Sequence, residues 1–157
     1  MKRTQRFSAT TSSDTETLQL GAAIGKQIDR GMCVALVGPL GAGKTTMVRG
    51  LCRGLGVKDT VISPTFILYE AFEGRRDVVH IDLYRLEHES EIEELGVFDL
   101  IGTDTVILAE WGERSQSLLS DADAVIEIVH HEGTERAVTL LCTEEAGRVF
   151  EEVPLWS

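Results

Sequence analysis

The stretch VALVGPLGAGKTTMV, residues 34–48, decides the fold, because it joins an apolar run to a glycine-rich loop and a single lysine. The apolar run begins at Met32 and is typical of a strand that is buried on both faces of a sheet. After the loop, Met47, Leu51 and Leu55 recur at helical spacing. A buried strand, a glycine-rich turn and a helix therefore follow one another, which indicates an α/β domain.

The loop itself reads GPLGAGKT over residues 38–45 and matches G-x-x-x-x-G-K-[ST] at every specified position. Glycines allow successive backbone N–H groups to converge on phosphate oxygens, and the dipole of the next helix adds positive potential there. We expect Lys44 to contact the β- and γ-phosphates and Thr45 to offer its hydroxyl to Mg²⁺. The alternative is a glycine-rich turn without a ligand, but the flanking strand and helix favour a nucleotide triphosphate. The predicted binding residues are Leu40, Gly41, Ala42, Gly43, Lys44, Thr45 and Thr46.

Two carboxylates end apolar runs elsewhere in the chain. Asp82 closes VVHID and Glu110 closes VILAE. In an α/β sheet the ligand lies beyond the carboxyl ends of the strands, so both side chains are expected to face the phosphates. Each is a candidate to hold Mg²⁺ directly or through water and to take part in hydrolysis. The alternative is that each carboxylate only caps its strand.

Three further residues are candidates for the same site. Thr65, in the Ser-Pro-Thr segment after the loop helix, suits a switch residue that senses the γ-phosphate, although such a segment also makes a common turn. His80 precedes Asp82 by two residues and shares its face, where a histidine is more often a packing or hydrogen-bonding residue than a catalytic base. Trp111 follows Glu110, and its side chain either covers the site or has an ordinary packing role.

The rest of the chain predicts a first helix after Ser13, which has Glu16 three residues on as in a capping box. Two hairpins are expected, one turning at Glu73-Gly74 and one near Gly133. An acidic helix is expected over residues 87–102, with its charges as a solvated face or a docking surface.

These elements predict one domain over residues 1–157, with the tail after about residue 143 loosely packed. We expect a three-layer α/β domain whose mixed, mainly parallel sheet is flanked by helices.

Composition limits the possible functions. The chain has 157 residues, 43% of them hydrophobic, and its 26 acidic against 15 basic residues give a formal net charge of −11. Binding to a nucleic-acid backbone depends on Lys and Arg, so any role with nucleic acid should be indirect. No apolar run approaches the ~20 residues that span a bilayer, and the amino end lacks the apolar block of a secretory signal. We expect a cytoplasmic protein whose cysteines, Cys33, Cys52 and Cys142, are buried thiols.

Four motifs, GPLGAGKTT, SPTF, HIDLYRL and AEWGE, occur in this order. Together they resemble the TsaE family, formerly called YjeE, which are P-loop ATPases required for tRNA threonylcarbamoyladenosine synthesis in bacteria. The resemblance covers roughly residues 17–141, and the last two motifs are more discriminating than the P-loop. The chain departs from the family at Pro39, where an acidic residue is common, and at Gly112, where proline is frequent.

The resemblance implies a role for each matching residue. Thr45 matches the magnesium-binding threonine, Glu110 the magnesium-linked glutamate critical for hydrolysis, and Asp82 the aspartate of the Walker-B-like strand. Thr65 matches a switch-like threonine and Trp111 a tryptophan near the active site. By the same resemblance, the residues near the base are Asp14 and Gly133.

The resemblance also implies partners. Family members bind a TsaB–TsaD heterodimer, and ATP hydrolysis is thought to reset that complex while the partners handle the tRNA. The acidic composition agrees with such a division of labour. Hydrolysis by the isolated chain is expected to be weak and stimulated by partners, with Arg85 or a partner residue as the arginine finger.

Two other functions remain open at this point. A small-molecule kinase of similar fold usually carries an arginine-rich lid, and the sequence has no such segment after the third strand. The other function is a binding module that a nucleotide switches without catalysis. The usual guanine-binding motif, N-K-x-D, is absent from the sequence, which weakens the case for a module that binds GTP. Turnover of ATP and the fate of its γ-phosphate discriminate among these functions.

Overall fold

The structure is a computed structural model that describes residues 2–61 and 69–157. Within these residues, one sheet runs in the strand order β1-β7-β6-β2-β5-β4-β3. Its strands are β1 (Gln5–Thr11), β2 (Met32–Val37), β3 (Tyr69–Glu73), β4 (Asp77–Asp82), β5 (Val106–Glu110), β6 (Ala124–His130) and β7 (Arg136–Cys142).

The sheet is mixed, as the sequence predicts, and its parallel part lies at the centre. Strands β6, β2, β5 and β4 pair in parallel, whereas β3, β7 and β1 are attached by antiparallel pairing at the two sides. The two predicted hairpins are β3–β4 and β6–β7. Every residue of β5 and all but the last residue of β2 are buried, which explains why both read as unbroken apolar runs.

Helices cover both faces of the sheet and produce the predicted three layers. Helices α1, α2 and α6 pack on one face, here called the α2 face, and helices α3, α4 and α5 pack on the other, the α5 face. The helices are α1 (Asp14–Gln27), α2 (Lys44–Gly54), α3 (Ser90–Glu94), α4 (Val97–Leu100), α5 (Gln116–Asp121) and α6 (Glu144–Phe150). None of the described helices is long and apolar enough to cross a membrane.

Helices α1 and α2 approach each other closely through glycines. A Cβ atom added to Gly25 would lie 2.2 Å from the carbonyl oxygen of Leu51, and one added to Gly54 would lie 2.2 Å from that of Ala22. Only a residue without a Cβ permits such backbone contact. The helix that begins at the glycine-rich loop is therefore held tightly against α1.

The acidic segment differs from the single helix that the sequence predicts. It forms two short helices, α3 and α4, because Gly96 between them adopts a left-handed conformation with φ 72°. Ile92 faces inward and is fully buried, whereas Leu95 is half-buried.

The chain after residue 143 packs more closely than the sequence indicated. It forms α6, whose Phe150 is fully buried in the core of the α2 face. Further on, the Trp156 ring stacks on Phe7 of β1 with 5.4 Å between ring centroids. The apolar residues Ala146, Val149, Phe150 and Val153 recur at helical spacing, which was a signal for this packing that the expectation of a loose tail missed. All three cysteines are buried free thiols, as expected.

Candidate nucleotide-binding site

The loop between β2 and α2 has a backbone that only glycine supports at three positions. Gly38, Gly41 and Gly43 have φ values of 147°, 78° and 106°. A Cβ atom on Gly41 would meet nothing within 4 Å, and one on Gly43 would meet only the Thr17 methyl at 3.8 Å. Among the described residues no side chain caps α2. The first N–H groups of this helix therefore face an open cradle of the kind that binds anions.

Lys44 lies at this cradle and is almost fully buried. Its Nζ donates hydrogen bonds to the carbonyl oxygens of Gly38 and Pro39, the latter at 2.9 Å, and lies 3.7 Å from the centroid of the Trp111 ring. Burial lowers the pKa of the Lys44 ammonium, and nearby carboxylates, of which Glu113 acts most strongly, oppose this effect. The Lys44 ammonium therefore contacts two carbonyl oxygens of its own loop. A phosphate at this loop would compete with them for the ammonium group.

The first turn of α2 is joined to the sheet through Glu110. Thr45 Oγ1 donates to Glu110 Oε1 at 2.7 Å, and His80 Nε2 lies 2.6 Å from Glu110 Oε2. The Glu110 carboxylate is nearly inaccessible to solvent and His80 is completely so. The buried carboxylate and imidazole thus form one polar cluster with the half-buried Thr45 hydroxyl at the carboxyl ends of β4 and β5.

Asp82 lies beside this cluster, since it pairs with Glu110 in the register of β4 and β5. Its Oδ1 accepts a hydrogen bond from the Tyr84 backbone N–H at 2.9 Å. The described residues contain no group of three or more His, Cys, Asp or Glu side chains that could hold a metal ion. A metal at this site would therefore be bound by Thr45 and one or two carboxylates, which suits Mg²⁺, because it usually keeps water and phosphate oxygens as ligands.

Trp111 is the non-glycine residue with positive φ in the described part of the chain, at φ 59°. Such a conformation costs on the order of 1 kcal/mol or more and is often found at functional sites. The Tyr84 ring lies 4.9 Å from Trp111, centroid to centroid. A Cβ on the next residue, Gly112, would lie only 2.8 Å from the Ala35 Cβ, so the glycine allows this turn to lie against β2.

The structure brings some of the predicted residues together and leaves others apart. Lys44, Thr45, Asp82, Glu110 and Trp111 meet at the loop, where Ala42, Gly43 and Thr46 are buried or half-buried and Leu40 and Gly41 are exposed. The switch candidate Thr65 lies outside the described residues.

The two residues expected near the base belong to segments that flank the loop. Asp14 is the first residue of α1, and Gly133 lies in the turn between β6 and β7 with φ 57°. Three residues further along α1, Thr17 lies next to Gly43, and at the foot of the β6–β7 hairpin Arg136 Nε donates to the Ala42 carbonyl oxygen at 3.1 Å. Contact of Asp14 and Gly133 with a base stays a prediction.

Sequence reasoning missed two contacts that support the loop. One is Arg136, which no motif singled out. The other is Glu113, whose Oε2 accepts a hydrogen bond from the Gly38 N–H at 3.2 Å. Glu113 is the last residue of the AEWGE motif, so the motif was a signal for it, whereas Arg136 reaches the loop only through the pairing of β7 with β6.

The donor set fits a magnesium nucleotide. Open backbone amides and a buried ammonium group suit a polyphosphate, and an oxygen pair from Thr45 and Glu110 suits Mg²⁺. The loop amides, the ammonium group and the two oxygens all belong to residues that the structure describes.

Comparisons with known proteins identify the family. The family model described as "Threonylcarbamoyl adenosine biosynthesis protein TsaE" matches residues 11–138. A protein of Haemophilus influenzae named tRNA threonylcarbamoyladenosine biosynthesis protein TsaE is 36% identical over 121 residues, 76% of each chain. A protein of the same name from Streptomyces coelicolor is 44% identical over 107 residues, 66% of this chain and 72% of that one.

The fold has a solved counterpart as well. The crystal structure of Bacillus subtilus YdiB superposes with a TM-score of 0.80, covers 98% of this chain and 97% of its own, and is 23% identical in sequence. This likeness concerns the fold, and the family assignment depends on the sequence matches. On those matches, which span most of its length, the chain belongs to the TsaE family.

Proposed function

We propose that this chain binds ATP with Mg²⁺ and hydrolyses it as a component of tRNA threonylcarbamoyladenosine biosynthesis. The observation that carries this proposal is the 2.7 Å hydrogen bond between Thr45 and Glu110 at the open loop beside Lys44. It joins a hydroxyl that would hold Mg²⁺ to a buried carboxylate that would share this role. The biosynthetic role is proposed from the names of the relatives.

Nucleotide binding depends on the loop amides and on Lys44. The proposed contacts run from Leu40 to Thr46, with Lys44 exchanging the Gly38 and Pro39 carbonyl oxygens for phosphate oxygens. Trp111 stays next to Lys44 and limits the access of water. Asp14 and Gly133 are proposed to flank the base.

Hydrolysis requires a metal and an oriented water molecule. Thr45, Glu110 and Asp82 are proposed to hold Mg²⁺, which when bound neutralises the charge that develops on the phosphate oxygens. Glu110 orients the attacking water, and Thr65 reports whether the γ-phosphate is present. The other proposed contributor is an arginine finger, supplied by Arg85 or by a partner.

The proposed partners are TsaB-like and TsaD-like proteins, and hydrolysis resets their complex. A net charge of −11 supports tRNA contact only through these partners. Such an assembly would work in the cytoplasm, without membrane contact. Turnover by the isolated chain is expected to be slow.

Hydrolysis by Glu110 variants tests the proposal. Glu110→Gln and Glu110→Ala should keep ATP affinity and lose turnover by about 10²-fold or more, the usual effect of removing a group that activates a nucleophile. Free phosphate is measured with and without the TsaB–TsaD pair. The matched control is Glu73→Gln, which removes an exposed carboxylate on β3, opposite the start of β4 rather than its carboxyl end, and should leave turnover unchanged.

Two outcomes would contradict the proposal. Equal hydrolysis by the wild type and the Glu110 variants would remove the catalytic assignment. A wild type that turns over no ATP even with its partners would indicate a binding module. The same assay with labelled ATP and nucleosides would detect a phosphorylated acceptor if the chain were a kinase.

A further inference from the structure

His80 is a buried polar residue to which the proposed mechanism gives no role. It has no accessible surface, and its Nδ1 has no hydrogen-bond partner among residues 2–61 and 69–157. Buried polar atoms are nearly always paired, because an unpaired one loses its hydration without compensation. An apolar side chain of similar size would fill the same space without this loss. The Nε2 contact with Glu110 is therefore the feature that distinguishes histidine here.

The register of the sheet explains how His80 reaches Glu110. His80 pairs with Leu108 of β5, and the next pair on the same face is Asp82 with Glu110. His80 therefore lies on the α2 face, two residues further from the carboxyl ends of the strands than Asp82 and Glu110. Its Nε2 approaches Glu110 Oε2 from the neighbouring strand, at 2.6 Å.

The Glu110 carboxylate is held at both oxygens by different elements. Thr45 of α2 donates to Oε1, and His80 of β4 contacts Oε2. A carboxylate only accepts hydrogen bonds, so the contact with Glu110 Oε2 requires a proton on Nε2 of the imidazole. Of the two bonds, the one from Thr45 comes from a hydroxyl that is also proposed to bind the metal ion. The one from His80 does not depend on the ligand.

We propose that His80 is a positioning residue, whose Nε2–H fixes the Glu110 carboxylate towards the phosphate side of the site. This inference rests on the proposed function, in which Glu110 orients water for ATP hydrolysis. It assigns His80 neither contact with the nucleotide nor proton transfer. Its removal should lower the rate of hydrolysis while nucleotide affinity, which depends on the loop amides and Lys44, is kept.

Kinetics of three variants of the full chain test this role. His80→Met has similar volume and no donor, and it should lower kcat by about tenfold or more, since a displacement of ~1 Å can cost 10²-fold. The dissociation constant for ATP should stay within about twofold, because the loop is unchanged. His80→Gln carries an N–H donor at similar reach and should restore most of kcat.

The matched control is Val78→Ala, which cuts the core at a fully buried position on the same strand and the same face. It should lower the melting temperature without changing kcat. If His80→Met keeps wild-type kcat, or if Val78→Ala lowers kcat equally, the positioning role is wrong while hydrolysis by the wild type still supports the proposed function. If the wild type hydrolyses no ATP, the proposed function itself fails.

A spectroscopic measurement tests the contact without hydrolysis. In nucleotide-free protein labelled with ¹⁵N-histidine, the resonance that is lost in His80→Gln should show a proton on Nε2. That proton should be strongly deshielded and should shift in Glu110→Gln. A proton on Nδ1, or a resonance insensitive to Glu110→Gln, would overturn the inference.

Discussion

The two faces of the sheet bury similar apolar cores but very different polar groups. Of the described buried polar residues, the α5 face holds only Ser115, which caps α5. The α2 face holds the rest, namely Thr11, Thr17, Lys44, His80, Asp82 and Glu110. Buried polar groups destabilise a fold unless they are paired, so their concentration on one face indicates a face built for a ligand. The α5 face mainly stabilises the sheet.

The faces also differ in how closely their helices pack. On the α2 face, glycines bring the backbones of α1 and α2 into contact, and this contact fixes the helix that carries Lys44. On the α5 face, Gly96 and Gly102 border open space, whereas Gly112, beside Trp111, lies against Ala35. Close packing therefore accompanies the site.

The largest expected effect comes from a substitution that disrupts the contact between α1 and α2. Gly25→Ala should lower the free energy of unfolding by about 3 kcal/mol, at the upper end for overpacking, because the new methyl group meets the Leu51 backbone. It should also weaken ATP binding, since α2 must shift. Chemical denaturation and a nucleotide titration measure the two effects.

Gly96→Ala is the matched control on the α5 face. Its methyl group meets nothing, so only the left-handed conformation costs energy, about 1 kcal/mol. Equal losses in the two variants, or unchanged ATP affinity in Gly25→Ala, would contradict the difference between the faces.

The thiols should respond alike on both faces, with an effect that is smaller per pH unit than that of Gly25→Ala. Burial raises the pKa of Cys33 on the α5 face and of Cys52 on the α2 face to about 12 each. Unfolded thiols ionise near pH ~8.5, so above that pH the unfolded state loses protons that the folded state keeps. Each thiol should then lower the free energy of unfolding by ~1.4 kcal/mol per pH unit up to pH ~11.

Cys33→Ala and Cys52→Ala should each make the decrease of the free energy of unfolding with pH less steep by ~1.4 kcal/mol per pH unit. Urea denaturation between pH ~8 and pH ~11 measures it. A slope that neither variant changes would show that these thiols do not contribute to the pH dependence. If only Cys52→Ala changed this slope, the two faces would differ in how strongly they bury a thiol.

The smallest effect compares the helix caps. Ser115 Oγ accepts from the Leu118 N–H at 3.1 Å and donates to Glu89 Oε2 at 2.9 Å, whereas the Oγ of the exposed Ser13 accepts from the Glu16 N–H at 3.1 Å. Ser115→Ala should cost about 2 kcal/mol and Ser13→Ala about 1 kcal/mol, within the range for N-caps. Thermal melts measure both. A larger loss for Ser13→Ala would contradict the assignment of Ser115 as a buried cap.

Local patterns predicted most of the elements near the site. The apolar runs of β2 and β5 and the capping signal at Ser13 are short-range features, and the structure has all three. Gly96 shows the limit of such patterns, because helical spacing continues across it while its left-handed backbone ends α3. Helices α5 and α6 were not predicted. Helix α5 is too short to show a periodicity, whereas the helical spacing of Ala146, Val149, Phe150 and Val153 was a signal for α6.

For the site, the motif predicted Lys44 and Thr45, and the strand ends predicted Glu110. The contacts of His80 with Glu110 and of Arg136 with Ala42 could not be read from the sequence. Each depends on the register between strands that are far apart in the chain, and register is a property of the folded sheet.

The most direct test is calorimetric titration of the full chain with Mg-ATP. The wild type and Lys58→Ala, which removes an exposed lysine, should bind one equivalent, and Lys44→Ala should give no heat of association. No binding by the wild type, or equal binding by Lys44→Ala, would contradict the assignment of this loop as the nucleotide site.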